Sequence, residues 1–231
     1  MKPSLLNDAI ATAIRAFLLG ILPDGYEVIL AQDNRVPEPS MSDYAVMTPL
    51  WRDRFATNVV SAADVKFTGS ISGTTLTVTQ VAKGTISIGA YVFGPNVATG
   101  TSVKSAGTIT GTYVVNTFQT VTSETMSAGQ EANLQSTECV WQIDVHGNQS
   151  ADSIQTISTL FRSAYGADWF DKNYPGIAPL YADQAKQLQF LNENQQYERR
   201  WEIDLHLQVS PSVYVPMQYA DTLSANLENV L

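Results

Sequence analysis

Residues 197–209 read YERRWEIDLHLQV. From Trp201 onward the odd positions are Trp201, Ile203, Leu205, Leu207 and Val209, and the even positions are Glu202, Asp204, His206 and Gln208. Strict alternation puts one apolar row and one polar row on opposite faces of a strand, and few other backbone conformations satisfy it. The same pattern occurs at 141–146, WQIDVH, with Trp141, Ile143 and Val145 against Gln142, Asp144 and His146. Two such strands lie naturally side by side, each laying a Trp into one core. The rest of the chain then has to cover the apolar face and leave the polar one for use.

The 231 residues suffice for one large domain or two small ones. A net charge of -9 argues against non-specific binding to a nucleic-acid backbone, which needs clustered Lys and Arg. An acidic wall repels DNA and so lets it pass without sticking. Cys139 is the single cysteine, so no intramolecular disulfide forms. No run of about 18 apolar residues is present, and no membrane span is expected. The N-terminal stretch is interrupted by Asn7, Asp8 and Arg15 and lacks a small-residue cleavage motif, so it reads as an amphipathic helix rather than a signal peptide.

That helix carries Leu6, Ile10, Ala13, Ile14, Phe17 and Leu18 on one stripe, with Ser4 as N-cap and Gly20 with Pro23 as its stop. Residues 26–31 and 44–51 read as strands, the second with an edge position or bulge at Pro49. Between them, 32–40 is an extended, proline-containing loop. From 65 to 129 the composition turns to Thr, Ser, Gly and Val, in short alternating runs broken by turn residues. This reads as a small all-β module. The expected division is a discontinuous core of 1–62 and 130–231 with an inserted module at 63–129. The expected fold class is α+β, a mixed and mainly antiparallel sheet with helices on one face, plus that module. After the strand at 139–146, Ser150 caps a helix carrying Ile154, Ile157, Leu160 and Phe161, which Gly166 ends. Residues 167–179 read as a loop anchored by Trp169, Phe170 and Tyr174. A strand at 187–191 and a polar turn at 192–196 lead into the 197–209 strand. Pro211 and Pro216 interrupt the sheet, and 221–231 fits a strand better than a helix.

The chemistry-bearing residues are few. Asp144, His146, Glu202, Asp204 and His206 are expected to form one polar row, solvated or facing a neighbouring subunit, and Arg199 and Arg200 are candidate interface residues. Two Asp and two His on one face have the donor types of a transition-metal site, but a solvated or subunit-facing row is the favoured reading. No metal or other cofactor is expected. Cys139, at a strand start, reads as a packed residue rather than a nucleophile. Neither a G-x-S-x-G elbow nor a Walker loop is present, and no enzymatic activity is expected.

The ordered set of an N-terminal helix, the loop AQDNRVPEPS with Gln32, Pro37 and Pro39 before Tyr44, the segment VWQIDVHGNQSADSIQTISTLF and the closing strand NENQQYERRWEIDLHLQVS resembles the neck and tail-terminator proteins of tailed bacteriophages. The resemblance covers 1–61 and 132–215. It implies a virion protein of the neck or tail, assembled in the host bacterial cytoplasm. It also implies a homo-oligomeric ring, usually of six copies, that stops tail-tube polymerisation and docks to the head connector. DNA would pass through its lumen without sequence-specific binding. The competing reading is a scaffold whose β module binds a glycan or other surface ligand through Tyr91, Phe93, Tyr113 and Phe118.

Overall fold

The computed structural model describes residues 3–31, 43–191 and 197–217. The expected loop at 32–40, turn at 192–196 and terminal strand at 221–231 lie outside the described residues. In chain order the elements are α1 (Asn7–Ile21), β1 (Glu27–Leu30), β2 (Tyr44–Arg54), β3 (Val59–Lys83), β4 (Tyr91–Phe93), β5 (Val103–Ala106), β6 (Thr112–Leu134), β7 (Thr137–His146), α2 (Ser150–Phe161), α3 (Ala164–Asn173), β8 (Ile177–Ala182), β9 (Lys186–Leu191), β10 (Tyr197–Val209) and β11 (Ser212–Pro216). They fold as two compact units, one of residues 3–58 and 134–212, the other of 59–133 and 213–217.

The first unit is built on a sheet of order β1-β2-β7-β10-β8, with β9 also paired to β10. The two alternating segments are its central antiparallel pair, with Ile203 opposite Ile143 and Leu205 opposite Trp141. Partners in such a pair share a face, so the odd positions of both strands fall on one side. That side is the core. Trp141, Ile143, Leu205 and Leu207 are buried there with Ile10, Ile14 and Phe17 of α1, Ile157 of α2 and Phe170 of α3. Trp201 is partly buried against the same cluster, so the two tryptophans share one core. Phe17 anchors an aromatic group with Phe161, Trp169 and Phe170, at centroid distances of 5.1–6.0 Å. Tyr26 reaches over to α2 and hydrogen bonds through its hydroxyl to Ser153 Oγ at 2.8 Å.

Several local expectations change. Ser4 does not cap α1, whose N-cap residue is Leu6 without a side-chain bond. Ser4 Oγ instead accepts the Ser212 N–H at 2.9 Å. Gly20 lies inside α1 rather than ending it. Ser150 opens α2 as its first helical residue, its hydroxyl donating to Gly147 O at 2.7 Å. Gly166 does not end α2 but sits inside a further helix, α3. A Cβ there would lie 2.7 Å from Leu160 O and 2.8 Å from Phe161 O, so close helix packing explains the glycine. The expected loop at 167–179 is therefore the rest of α3 and the start of β8, a strand the proline at 179 had hidden. The register of β2 on β7 shifts between Pro49 and Trp51, where the bulge was expected.

The second unit is a sheet of order β11-β6-β3, with β4 and β5 also paired to β6. β3 turns back on itself at Gly73, whose φ is +65°. The fold-back brings Lys83 Nζ within 2.9 Å of Asp64 Oδ2 and lets the Thr79 hydroxyl donate to Thr68 O at 3.0 Å. Val65, Phe67, Ile71, Leu76, Val115 and Met126 form part of its core. β11 belongs to this sheet, so Pro211 and Pro216 bound a strand rather than interrupt one.

The expected α+β class does not hold for the chain. Strands take 55% of the described residues and helices 19%, divided over two sheets with three helices, so the protein is β-rich. The cause is the long Thr/Gly/Val stretch, which adds strands and no helix, and the hidden strand β8. Leu205→Ala, at a fully buried position of the central pair, is expected to cost about 2–5 kcal/mol in urea unfolding. Ile109→Ala, at a site 68% exposed, is expected to stay within about 0.5 kcal/mol.

Candidate functional site

The even positions of β7 and β10 lie on the face opposite the helices, and the registers arrange them in rows that cross the sheet. Tyr44, His146 and Arg200 form the first row. Val46, Asp144, Glu202 and Lys186 form the second, and Thr48, Gln142 and Asp204 the third. Trp51, Val140, His206 and Tyr181 form the fourth, and Asp53, Glu138, Gln208 and Ala178 the fifth. Asp144, His146, Glu202, Asp204 and His206 lie on this face. Of the two candidate interface arginines, Arg200 lies there too, whereas Arg199 has the parity of Trp201 and its exposed side chain lies on the other side of the strand.

Each histidine is covered by a tyrosine from the adjoining strand. Tyr44 stacks on His146 with centroids 4.5 Å apart and planes 6° from parallel. Tyr181 stacks on His206 at 4.0 Å and 17°. Trp51 meets His206 from the other side, edge-on at 6.0 Å. Glu138 Oε1 lies 2.7 Å from His206 Nδ1, and the Tyr181 hydroxyl donates to the same oxygen at 3.2 Å. Asp183 Oδ2 lies 3.6 Å from His206 Nε2. Arg200 donates twice to Asp144 Oδ1, from Nε at 2.9 Å and Nη2 at 2.7 Å. The Gln142 side-chain amide donates to Glu202, closing the gap between two rows.

Burial sets the electrostatics. Asp144 is 5% exposed, and loss of water pushes its carboxyl above the ordinary aspartate range despite the Arg200 guanidinium, which pulls it down. Asp204 is also pushed up, first by burial and then by the neighbouring carboxylates of Asp183 and Glu202. Cys139 is on the helix side, buried, and burial raises its thiol above the usual range.

The four-residue Asp/His set does not converge. Antiparallel pairing puts His146 opposite Arg200, six positions along β10 from His206, a separation of roughly 20 Å at about 3.3 Å per residue. Among the described residues no three His, Cys, Asp or Glu side chains gather as a metal-ligand set. What the face does offer is a mixed surface of paired charges crossed by one aromatic row. Sequence reading missed Glu138, Trp51, Tyr181 and Asp183. Glu138 was legible, since it continues the even positions of β7 by one more step. The others required the register of β2 and β8, which the alternation of β7 and β10 does not carry. Of the aromatics considered for ligand stacking in the second unit, Tyr113 packs against its core, while Phe118 is 81% exposed.

The chain is β-rich, and its first unit presents a polar sheet face. Residues 100–230 match the family model described as phage neck terminator protein, and the chain belongs to that family. Its place is accordingly the neck of a phage particle, in contact with other proteins of that particle. No curated protein matches the chain. No helix among the described residues is long and apolar enough to cross a membrane.

Arg200→Ala removes both donors from a carboxylate whose side chain is 8% exposed, and is expected to cost about 3 kcal/mol at neutral pH. Without Arg200 the folded-state titration of Asp144 moves still higher, because the group that lowers it is gone. The cost is therefore full where Asp144 is ionised and shrinks as pH falls through that raised range, where the folded carboxyl takes up a proton. Urea unfolding at neutral and mildly acidic pH checks this, and a cost that does not change with pH would contradict it.

Proposed function

We propose that the protein forms a closed homo-oligomeric ring of six copies that terminates the tail tube and docks it to the head connector, with DNA passing through the lumen. Membership of the neck terminator family carries this reading. The sheet supports it: one face takes the helices, and the other is a polar row of Asp144, His146, Glu202, Asp204 and His206 that faces the lumen or a neighbouring copy. A chain of net charge -9 suits a channel wall, because an acidic surface holds no phosphate backbone and lets it slide. A head-to-tail ring closes by geometry alone and requires neither cofactor nor catalysis. In this reading the ring assembles in the host cytoplasm before it joins the particle.

Residues 63–129 are, in the same reading, an insertion into the terminator core. The chain leaves that core at Asn58 and returns near Gln135, and Gln135 Nε2 donates to Asn58 Oδ1 at 3.1 Å. Phe55 N–H donates to Ser136 O at 3.1 Å beside it. Ends this close let a module be added without opening the sheet.

Light scattering and negative-stain imaging of the purified full chain, alone and with tail tubes, test the ring. Closed particles of uniform copy number are expected. Monomers only, at high concentration and with tubes present, would contradict it.

A further inference from the structure

Among the described residues, the sheet of the first unit has a strand outside β2 at one height and none at another. β1 is four residues long and pairs only with Tyr44–Met47 of β2. Among the described residues nothing pairs with the outer edge of β2 from Thr48 to Arg54. That edge is conspicuous: Leu50 is 42% exposed, Trp51 48% and the following Phe55 50%. An open edge with exposed apolar side chains is a template for another strand.

The opposite border of the same sheet is β8, which lies outside β10. Register fixes its height. Tyr181 and Ala178 sit in the same rows as Trp51 and Asp53. Among the described residues, the outer side of β8 is thus level with the unpaired stretch of β2. Direction agrees as well. β2, β7, β10 and β8 alternate, each antiparallel to the next. A β8 placed beside the β2 of another copy, with both sheets in the same orientation, is antiparallel to it and continues the alternation. Side chains also match. The fourth row ends in Trp51 at one border and Tyr181, 44% exposed, at the other, so joining copies sets Tyr181 of one beside Trp51 of the next. Pro179 removes one donor from β8 and confines the new ladder to its remaining residues.

Charge selects the partner. Arg52 and Arg54 are exposed on β2 and share the parity of Cys139 and Thr137, which puts them on the helix side. α3 packs against β8 on that side and carries exposed Asp168, Asp171 and Lys172, a net negative group. A basic pair at one border and an acidic group at the other favour head-to-tail contact between copies of a chain that as a whole repels itself.

We infer that β8 of one copy adds to the open Thr48–Arg54 edge of β2 of the next, so that the six-stranded sheets join into one continuous sheet around the ring. This rests on the ring reading and supplies its interface. Four strands per copy at this level and six copies give about 24 strands, a circumference of roughly 115 Å at about 4.8 Å spacing. The opening is about 37 Å across before strand tilt widens it, enough for a DNA duplex.

Two measurements on the full chain test it. In the first, Asp53→Cys and Ala178→Cys, exposed residues at the two ends of the fifth row, are combined. Oxidation is expected to give a ladder of covalent oligomers from the double variant and none from either single variant, each of which retains the buried Cys139. In the second, amide exchange of the unaltered protein is expected to slow by roughly tenfold or more at 48–54 and 177–182 on assembly. Oligomers with unchanged exchange at both segments would overturn the inference and leave the ring reading standing. A chain that stays monomeric would overturn both. Protection at both segments without a ladder supports the pairing at a shifted register.

Discussion

Everything in the first unit depends on the antiparallel ladder between β7 and β10. Its register puts Ile143 opposite Ile203 and Trp141 opposite Leu205. A slip of one residue would turn Trp141, Ile143 and Val145 outward and bring Asp144 into the helices. The hydrophobic cost of such a slip is several buried side chains at about 1.5–3 kcal/mol each. That cost, rather than any single hydrogen bond, fixes which residues the protein presents to its surroundings.

The other face inherits its order from the same ladder. Polar groups on neighbouring strands find partners because adjacent rows bring them together: Arg200 with Asp144, Gln142 with Glu202, His206 with Glu138. Tyrosines from β2 and β8 roof the two histidines. The outcome is a face that is polar in composition yet closely packed, with Asp144, His146 and His206 all buried. A surface of that kind keeps its form, as a wall or a docking face requires. It also explains why two Asp and two His on one face make no common site. The ladder that aligns them by parity separates them by height.

The alternating strands, the helix stripe of Ile10, Ile14 and Phe17, and the shared core of Trp141 and Trp201 were legible because each is a local pattern with one physical solution. The class of the whole chain was not. β8 carries Pro179 and follows an aromatic-rich segment, so it read as loop, and α3 was concealed because Gly166 looked like a stop. That glycine answers to packing against Leu160 and Phe161, a tertiary demand that no local pattern announces. The aromatic row on the polar face was hidden for a related reason. Trp51, His206 and Tyr181 are far apart in sequence, and only the pairing of β2, β7, β10 and β8 unites them.

Cross-strand proton contacts in an isotope-labelled sample measure the central register directly. The account predicts close contacts between the backbones of Ile143 and Ile203 and of Trp141 and Leu205, with Asp144 paired to Glu202. Contacts from Ile143 to Glu202 or Asp204 as its opposite residue, or none between the two segments, would contradict it.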